Sequence, residues 1–230
     1  MKDNAMQIAL ILDRSGSMSS IAEATVEGVN AFLTEQKNSP TEVSLRFVQF
    51  DDVYEEVYDG KIDQAPLLTV VKPKAENQRQ FLPRGRTALL DAIGQTVTDV
   101  GAQLAELPEE ERPAKVVVVI MTDGHENSSE KFTRSQIATL IQQQRDVYKW
   151  EFQYLGANQD AIEEAAKYNI PAKNAVRYFA SSSGTRSVMA SVTRNVRNYG
   201  VTGQSTTMNF ADTDRAAAME TDKSSTIIKP

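Results

Sequence analysis

The chain has 230 residues, of which 40% are hydrophobic and 24% are charged, with a formal net charge of −6 and no cysteine. This composition is typical of one folded domain of ordinary size with a short appendage. The lack of cysteine excludes disulfides and thiol nucleophiles, the acidic balance argues against a nucleic-acid-binding protein, and no apolar run reaches the roughly 18 residues that a membrane span requires.

The first predicted element is a buried strand that ends in a cluster of oxygen-bearing side chains. Residues 8–12 form a continuous apolar run, which is typical of a strand covered on both faces. Asp13, Ser15 and Ser17 follow at alternate positions, and Gly16 allows a tight turn between the serines. Their oxygens suit a small, hard cation such as Mg2+ or Mn2+, whereas zinc favours sulfur or imidazole. The same pattern also occurs in an ordinary turn before a helix, so this segment alone leaves both interpretations open.

A helix and a hairpin are predicted next. Ser20 and Glu23 have the spacing of a capping box, and the apolar residues of segment 26–33 share one face of the following helix. Segments 43–50 and 53–58 alternate around an Asp-Asp turn. We therefore expect a hairpin whose second strand is the antiparallel edge of a sheet.

Residues 59–86 are the least regular part of the domain and carry an excess of basic side chains. Five lysines and arginines occur between positions 72 and 86, against one glutamate. Each charge alone is typical of a solvated loop. As a hypothesis, Arg84 and Arg86, which lie beside Thr87, steer an acidic partner toward the site.

Two further segments place polar residues near the first cluster. Thr87 follows a glycine turn and precedes a helix whose apolar residues recur between positions 89 and 104. Residues 116–121 form a second continuous apolar run, which ends in a Thr-Asp-Gly sequence containing Asp123. In open α/β sheets, ligands bind outside the carboxyl ends of the strands. We therefore expect Thr87 and Asp123 to lie at the same rim as Asp13.

The rest of the chain alternates between helices and strands. His125, the only histidine, follows the second buried strand. A general-base role is conceivable for it, but a loop histidine without an evident nucleophile is more often simply exposed. Thr133 and Gln136 have the spacing of another capping box, and Asn158 is expected to cap the next helix. Two more strands and a last helix are predicted at 150–155, 174–179 and 188–196.

Together, these motifs resemble the metal-ion-dependent adhesion site of the von Willebrand factor type A domain, also called the integrin I-domain fold. That site has the form Asp-x-Ser-x-Ser, then a Thr in a Gly-x-Thr-x-Leu sequence, then an Asp in a Thr-Asp-Gly sequence. All five positions are filled in the right order, by Asp13, Ser15, Ser17, Thr87 and Asp123. The resemblance implies Mg2+ or Mn2+ as the cofactor, with the three hydroxyls as direct ligands and the two carboxylates often acting through water.

The resemblance also implies an architecture that agrees with the alternation of strands and helices. We expect a three-layer, Rossmann-like α/β domain over residues 5–199, with a six-stranded, mostly parallel sheet, one antiparallel edge strand and helices on both faces. Residues 200–230 are rich in Ser, Thr and Asp, and we expect a flexible or loosely docked C-terminal tail. Folding of segments 210–212 and 214–219 onto the domain, or docking of these segments on a partner, is an alternative.

The function implied by the resemblance is protein binding, not catalysis. A cation held in this way keeps one coordination position for an Asp or Glu of a partner protein. One alternative is a Mg2+-dependent hydrolase with Asp13 as nucleophile. Such enzymes commonly carry a second carboxylate close to the first, whereas position 15 here is Ser. The chain also has no P-loop, dinucleotide fingerprint or nucleophile elbow. Another is a metal-independent scaffold in which the cation is structural.

Location and assembly are expectations of the same kind. No signal-peptide pattern precedes the first strand, so we expect a cytoplasmic protein that binds neither nucleic acid nor membrane. By analogy with intracellular members of the family, it is expected to be a monomeric adaptor in a bacterial or phage system. A tail carboxylate that fills the metal site of a neighbouring molecule is an alternative, and it predicts self-association that depends on concentration and on metal.

Overall fold

In the computed structural model, which describes residues 1–157 and 160–222, a six-stranded sheet forms the middle layer. Its strands are β1 (Lys2–Asp13), β2 (Glu42–Phe50), β3 (Tyr54–Lys61), β6 (Pro113–Thr122), β7 (Glu151–Gly156) and β8 (Ala175–Arg177), and a separate parallel pair consists of β4 (Leu67–Thr69) and β5 (Gln78–Gln80). The order in the large sheet is β3-β2-β1-β6-β7-β8, with β3 antiparallel to β2 and all other pairs parallel. The predicted fold class is thus confirmed, including the antiparallel edge strand.

Helices cover both faces of the sheet because its central strands are apolar on both sides. The helices are α1 (Ala22–Lys37), α2 (Leu89–Glu106), α3 (Arg134–Asp146), α4 (Ala161–Lys167), α5 (Ser182–Thr202) and α6 (Asp212–Ala218). In β1, Ile8 and Leu10 belong to the core under α1 and α5, whereas Ala9 and Ile11 belong to the core under α2, α3 and α4. This alternation follows the two-residue period of a strand. Among the described residues, no helix combines the length and apolarity needed to cross a bilayer.

The two predicted capping boxes have different outcomes. Thr133 and Gln136 form the expected reciprocal box at the start of α3. The prediction for Ser20 and Glu23 is wrong, because residues Gly16–Ile21 already form a 3-10 helix and α1 begins at Ala22 without a side-chain cap. Ser20 therefore lies inside a helical turn and not at the extended position that a capping residue occupies. Asn158 lies outside the described residues.

The described part of the C-terminal segment, residues 203–222, contains two helical elements. After α5, which is capped at its C-terminus by Gly203 with φ +66°, residues Ser205–Met208 form a 3-10 helix and α6 follows. Met208, Phe210 and Ala218 are buried. Residues 203–222 thus pack beside β8 and α5, which corresponds to the alternative in which segments 210–212 and 214–219 fold onto the domain. A flexible or loosely docked tail over residues 200–230 stays a prediction. A domain boundary at residue 200 stays a prediction.

Candidate metal centre

Asp13 forms the base of the site. It ends β1 at the rim made by the carboxyl ends of the parallel strands and is fully buried. Its Oδ1 accepts a hydrogen bond from the backbone N–H of Ser15, and its Oδ2 accepts one from the hydroxyl of Thr122, both at 2.6 Å. Thr122 ends β6, the neighbour of β1 in the sheet. Sequence analysis passed over Thr122, although its place at the end of the second buried strand was a signal for a role at the rim.

The next three side chains lead from the buried base to the solvent. The hydroxyl oxygens of Ser15 and Ser17 are 3.1 Å apart, and the Ser17 hydroxyl donates to Oδ1 of Asp123 at 2.6 Å. Ser15 is buried, Asp123 is half-buried and Ser17 is exposed. The cluster is therefore closed below and open to solvent above.

Thr87 meets the cluster in front of Gly124. A Cβ atom at residue 124 would lie 3.0 Å from Oγ1 of Thr87, 3.7 Å from Oγ of Ser17 and 3.8 Å from Oδ2 of Asp13. A contact at 3.0 Å is unusually tight for a carbon atom, so the missing side chain of Gly124 leaves room where these oxygens converge. The structure thus brings all five predicted site residues together.

Thr87 is held by Asn127, a residue that sequence analysis missed. The backbone N–H of Thr87 donates to Oδ1 of Asn127, and the N–H of Asn127 donates to the carbonyl of Thr87, both at 3.0 Å. The carbonyl of Asn127 also accepts a hydrogen bond from Nη2 of Arg86 at 3.0 Å. Asn127 therefore fixes the position of Thr87 and of the arginine before it.

Two carboxylates attach the loop after β6 to the start of α2. Glu126 accepts a hydrogen bond from the N–H of Leu90 at 3.0 Å. Asp91 accepts hydrogen bonds from three consecutive backbone N–H groups, those of residues 130–132, each at 2.9 Å. Neither carboxylate is available as a metal ligand. No local pattern predicts these contacts, because their partners lie about 40 residues away.

A buried ion-pair network supports the other side of the site. Asp51, which is fully buried, accepts hydrogen bonds from Nε of Arg14 at 3.0 Å and from Nε of Arg84 at 2.9 Å. Arg14 also pairs with Glu55, and the carbonyl of Asp51 accepts from the N–H of Ala88, the residue after Thr87. The network thus ties the end of β2 to the loop that carries Thr87.

The electrostatics of the site favour a cation. Burial raises the pKa of Asp13 to about 6, and hydrogen bonds from Thr122 and Ser15 offset only part of this effect. The nearby charge of Asp123 also raises the pKa of Asp13, and burial raises the pKa of Asp123 itself. Two carboxylates whose charged forms are disfavoured lie together, so a positive charge between them would stabilise both.

The donor set fits a hard divalent cation. In the described part of the chain, no group of three or more His, Cys, Asp or Glu side chains is placed to hold a metal ion. A site here must therefore use hydroxyl oxygens, which Mg2+ and Mn2+ accept together with carboxylates. His125 is exposed on the loop after Asp123. That Asp13, Ser15, Ser17, Thr87 and Asp123 bind a metal stays a prediction.

Comparison with known proteins identifies a family and a fold. The sequence model of the von Willebrand factor type A domain matches residues 7–191. No curated protein sequence matches the chain.

Several solved structures share the fold at low identity. The PilB minor pilin from Streptococcus sanguinis has a TM-score of 0.56 at 10% identity, over 89% of this chain and 64% of that protein. The pilus adhesin SpaC from Lactobacillus rhamnosus GG has a TM-score of 0.54 at 14% identity, over 86% and 30%. Proximal thread matrix protein 1 from the mussel byssus, described as having a zinc-occupied MIDAS motif, has a TM-score of 0.53 at 18% identity, over 86% and 47%. The chain therefore spans less than two thirds of each of these proteins.

Proposed function

The chain belongs to the von Willebrand factor type A family, and we propose that it is a divalent-metal-dependent protein-binding module with an intact metal-ion-dependent adhesion site. Domains of this family typically mediate protein–protein interaction and adhesion, and they bind a divalent metal at this site. In the proposal, the hydroxyls of Ser15, Ser17 and Thr87 bind Mg2+ or Mn2+ directly, and Asp13 and Asp123 contribute charge and bind through water. An Asp or Glu of a partner protein completes the coordination shell.

The observation that carries the proposal is the convergence of oxygens from two separate segments, residues 13–17 and Thr87, in front of Gly124 on a third segment. Thr87, Ser17 and Asp13 all approach the space that a side chain at residue 124 would fill. The cluster is buried below and exposed above, at Ser17. A cation there would have protein ligands on one side and a position for an external carboxylate on the other.

The alternative of a hydrolase with Asp13 as nucleophile is less well supported. Both carboxylate oxygens of Asp13 accept short hydrogen bonds, and the residue is fully buried. A nucleophile must reach the substrate, whereas Asp13 lies beneath the other oxygens of the site. Domains of this family are mostly interaction modules and not enzymes, and we extend that property to this chain.

Calorimetric titration of Mg2+, Mn2+ and Zn2+ into chelator-treated protein tests the site. We expect saturable binding of Mg2+ and Mn2+ to the wild type and a loss of at least about tenfold in Thr87→Val, which removes a ligand and keeps the shape. Ser20→Ala is the control, since it removes an exposed hydroxyl from the 3-10 helix that carries Ser17. Equal affinity of the wild type and Thr87→Val would contradict the proposed ligand set.

Partner binding separates the proposal from a scaffold with a structural cation. We expect immobilised protein to retain partners from a host lysate in Mg2+ or Mn2+ and to release them in chelator. Retention that chelator does not change, in a protein that still binds metal, would support the scaffold instead. Cytoplasmic location and a monomeric state also stay proposals, which cell fractionation and light scattering with and without metal test.

A further inference from the structure

Two arginines lie beside Thr87, and the structure gives them different surroundings. Arg84 forms an ion pair with the buried Asp51, which Arg14 shares, and Arg14 pairs in turn with Glu55. The positive charges of the two arginines are thus balanced by the negative charges of the two carboxylates. Arg84 is therefore paired within the chain through its Nε and helps to hold the loop.

Arg86 is exposed and is positioned by two hydrogen bonds, one of which runs from its backbone N–H to Oδ1 of Asp52 at 3.4 Å. Its Nη2 donates to the carbonyl of Asn127, the same residue that binds Thr87 on both sides. No carboxylate of the described residues forms an ion pair with the Arg86 guanidinium. An arginine whose guanidinium is already oriented by a hydrogen bond loses less side-chain freedom on binding an anion. Its place next to the metal centre is therefore suited to recognition.

The surroundings of Arg86 limit how strongly it can bind a second acid. It lines a cavity of about 350 Å3 together with Lys131, but the carboxylates of Asp52 and Glu130 line the same cavity. The Asp91 carboxylate there is already engaged with the backbone of residues 130–132. An incoming carboxylate would thus meet two cations and three anions, since backbone donors do not neutralise Asp91, and it would have to approach from the side of Arg86.

We propose that Arg86 binds a second carboxylate of the partner, so that the recognised segment carries two acidic residues. One carboxylate would complete the metal site, and the other would form a bidentate pair with the guanidinium. This inference rests on the proposed function and adds to it the chemistry of the partner. Arg86 is then the residue that selects a di-acidic segment over one with a single acid.

Short peptides of defined charge test the inference without a known partner. The probes are acetylated, amidated glycine peptides with two glutamates separated by zero to three glycines, and matched peptides in which either glutamate is glutamine. Their affinities are measured by NMR titration of the full chain in saturating Mg2+ and again in chelator. The variants are Arg86→Gln and the control Lys61→Gln, which makes the same charge change at the end of β3 remote from the rim.

For at least one spacing, we expect the wild type and Lys61→Gln to favour the di-acid peptide by about four- to tenfold. A factor of two arises because a di-acid peptide offers two carboxylates to the metal. The remaining factor of about two to five is the range expected for an exposed ion pair. Arg86→Gln should reduce the preference to about twofold, and 0.5 M salt should weaken it in the wild type. A wild-type preference of only twofold at every spacing, or an equal preference in Arg86→Gln, would overturn the inference. Binding of single-acid peptides that chelator does not change would instead overturn the proposed function, and the inference with it.

Discussion

Replacement of Asp13 by Asn separates the destabilisation that the buried carboxylate causes in the metal-free protein from its role in metal binding. The amide can keep both hydrogen bonds, since Oδ1 still accepts from the N–H of Ser15 and the NH2 group can donate to the oxygen of Thr122. The Thr122 hydroxyl can then donate to the carbonyl of Gly124, 3.2 Å away. The substitution therefore removes a buried charge with little change in shape. We expect it to stabilise the metal-free protein at neutral pH.

The size of the effect follows from the pKa of Asp13. Burial raises that pKa from 3.8 to about 6 in the folded protein. Because the folded pKa is the higher one, the protonated carboxyl stabilises the fold below about pH 4, and this contribution is lost as the pH rises through about 6. Two pKa units correspond to about 3 kcal/mol of unfolding free energy at pH 8. For a domain of this size, Asp13→Asn should raise the midpoint of thermal unfolding by roughly 5–10 °C.

Urea unfolding in chelator at pH 5 and pH 8 measures this difference. The Asn variant should be more stable at pH 8, and its advantage should shrink at pH 5, where much of the wild-type Asp13 is protonated. With Mg2+ at 100 times its dissociation constant, the wild type should become more stable by about 2.7 kcal/mol. The variant should show no such increase, because it lacks the charge that binds the cation.

Two results would refute this reasoning. One is an Asn variant that is less stable than the wild type in chelator at pH 8. The other is a stability difference that is equal at pH 5 and pH 8, since that would exclude titration of Asp13 as its cause. Glu110→Gln removes the same charge from an exposed turn and should change the unfolding free energy by less than about 0.5 kcal/mol at either pH.

Three further predictions concern the site and the C-terminal segment. The Gly124→Ala variant should fold but bind Mn2+ at least about tenfold more weakly in calorimetry, because its Cβ would lie 3.0 Å from Thr87 Oγ1. Unchanged affinity would show that the cation does not lie in front of residue 124. Protons compete with the metal for Asp13, whose pKa is about 6. The Mn2+ affinity of the wild type should therefore fall by up to about tenfold per pH unit below pH 6 and be constant above it. A flat affinity profile from pH 5 to 7.5 would exclude ionised Asp13 from the site. The Phe210→Ala variant should have an unfolding free energy about 3 kcal/mol lower than the wild type in urea, because Phe210 is buried against the domain. A loss below about 1 kcal/mol would indicate that residues 203–222 are loosely attached in solution.

The sequence by itself determined the features that depend on neighbouring residues. Continuous apolar runs marked β1 and β6, alternation marked the β2–β3 hairpin, and the spacing of Thr133 and Gln136 marked the start of α3. Hydrophobic period and capping act over a few residues, so they can be recognised from spacing alone. The resemblance then indicated which five oxygen-bearing residues belong to one site.

Only the tertiary structure decided which distant groups meet at the rim. Thr122 lies 109 residues from Asp13, and Asn127 lies 40 residues from Thr87. Both contacts depend on the sheet order and on the path of the loop after β6. The difference between Arg84, which pairs with the buried Asp51, and Arg86, whose guanidinium donates to a backbone carbonyl, was equally hidden in the sequence. The same holds for Met208 and Phe210, which find their places only against elements that lie far away in the chain. Long-range hydrogen bonds and burial depend on how the elements pack, and no local pattern of residues specifies that packing.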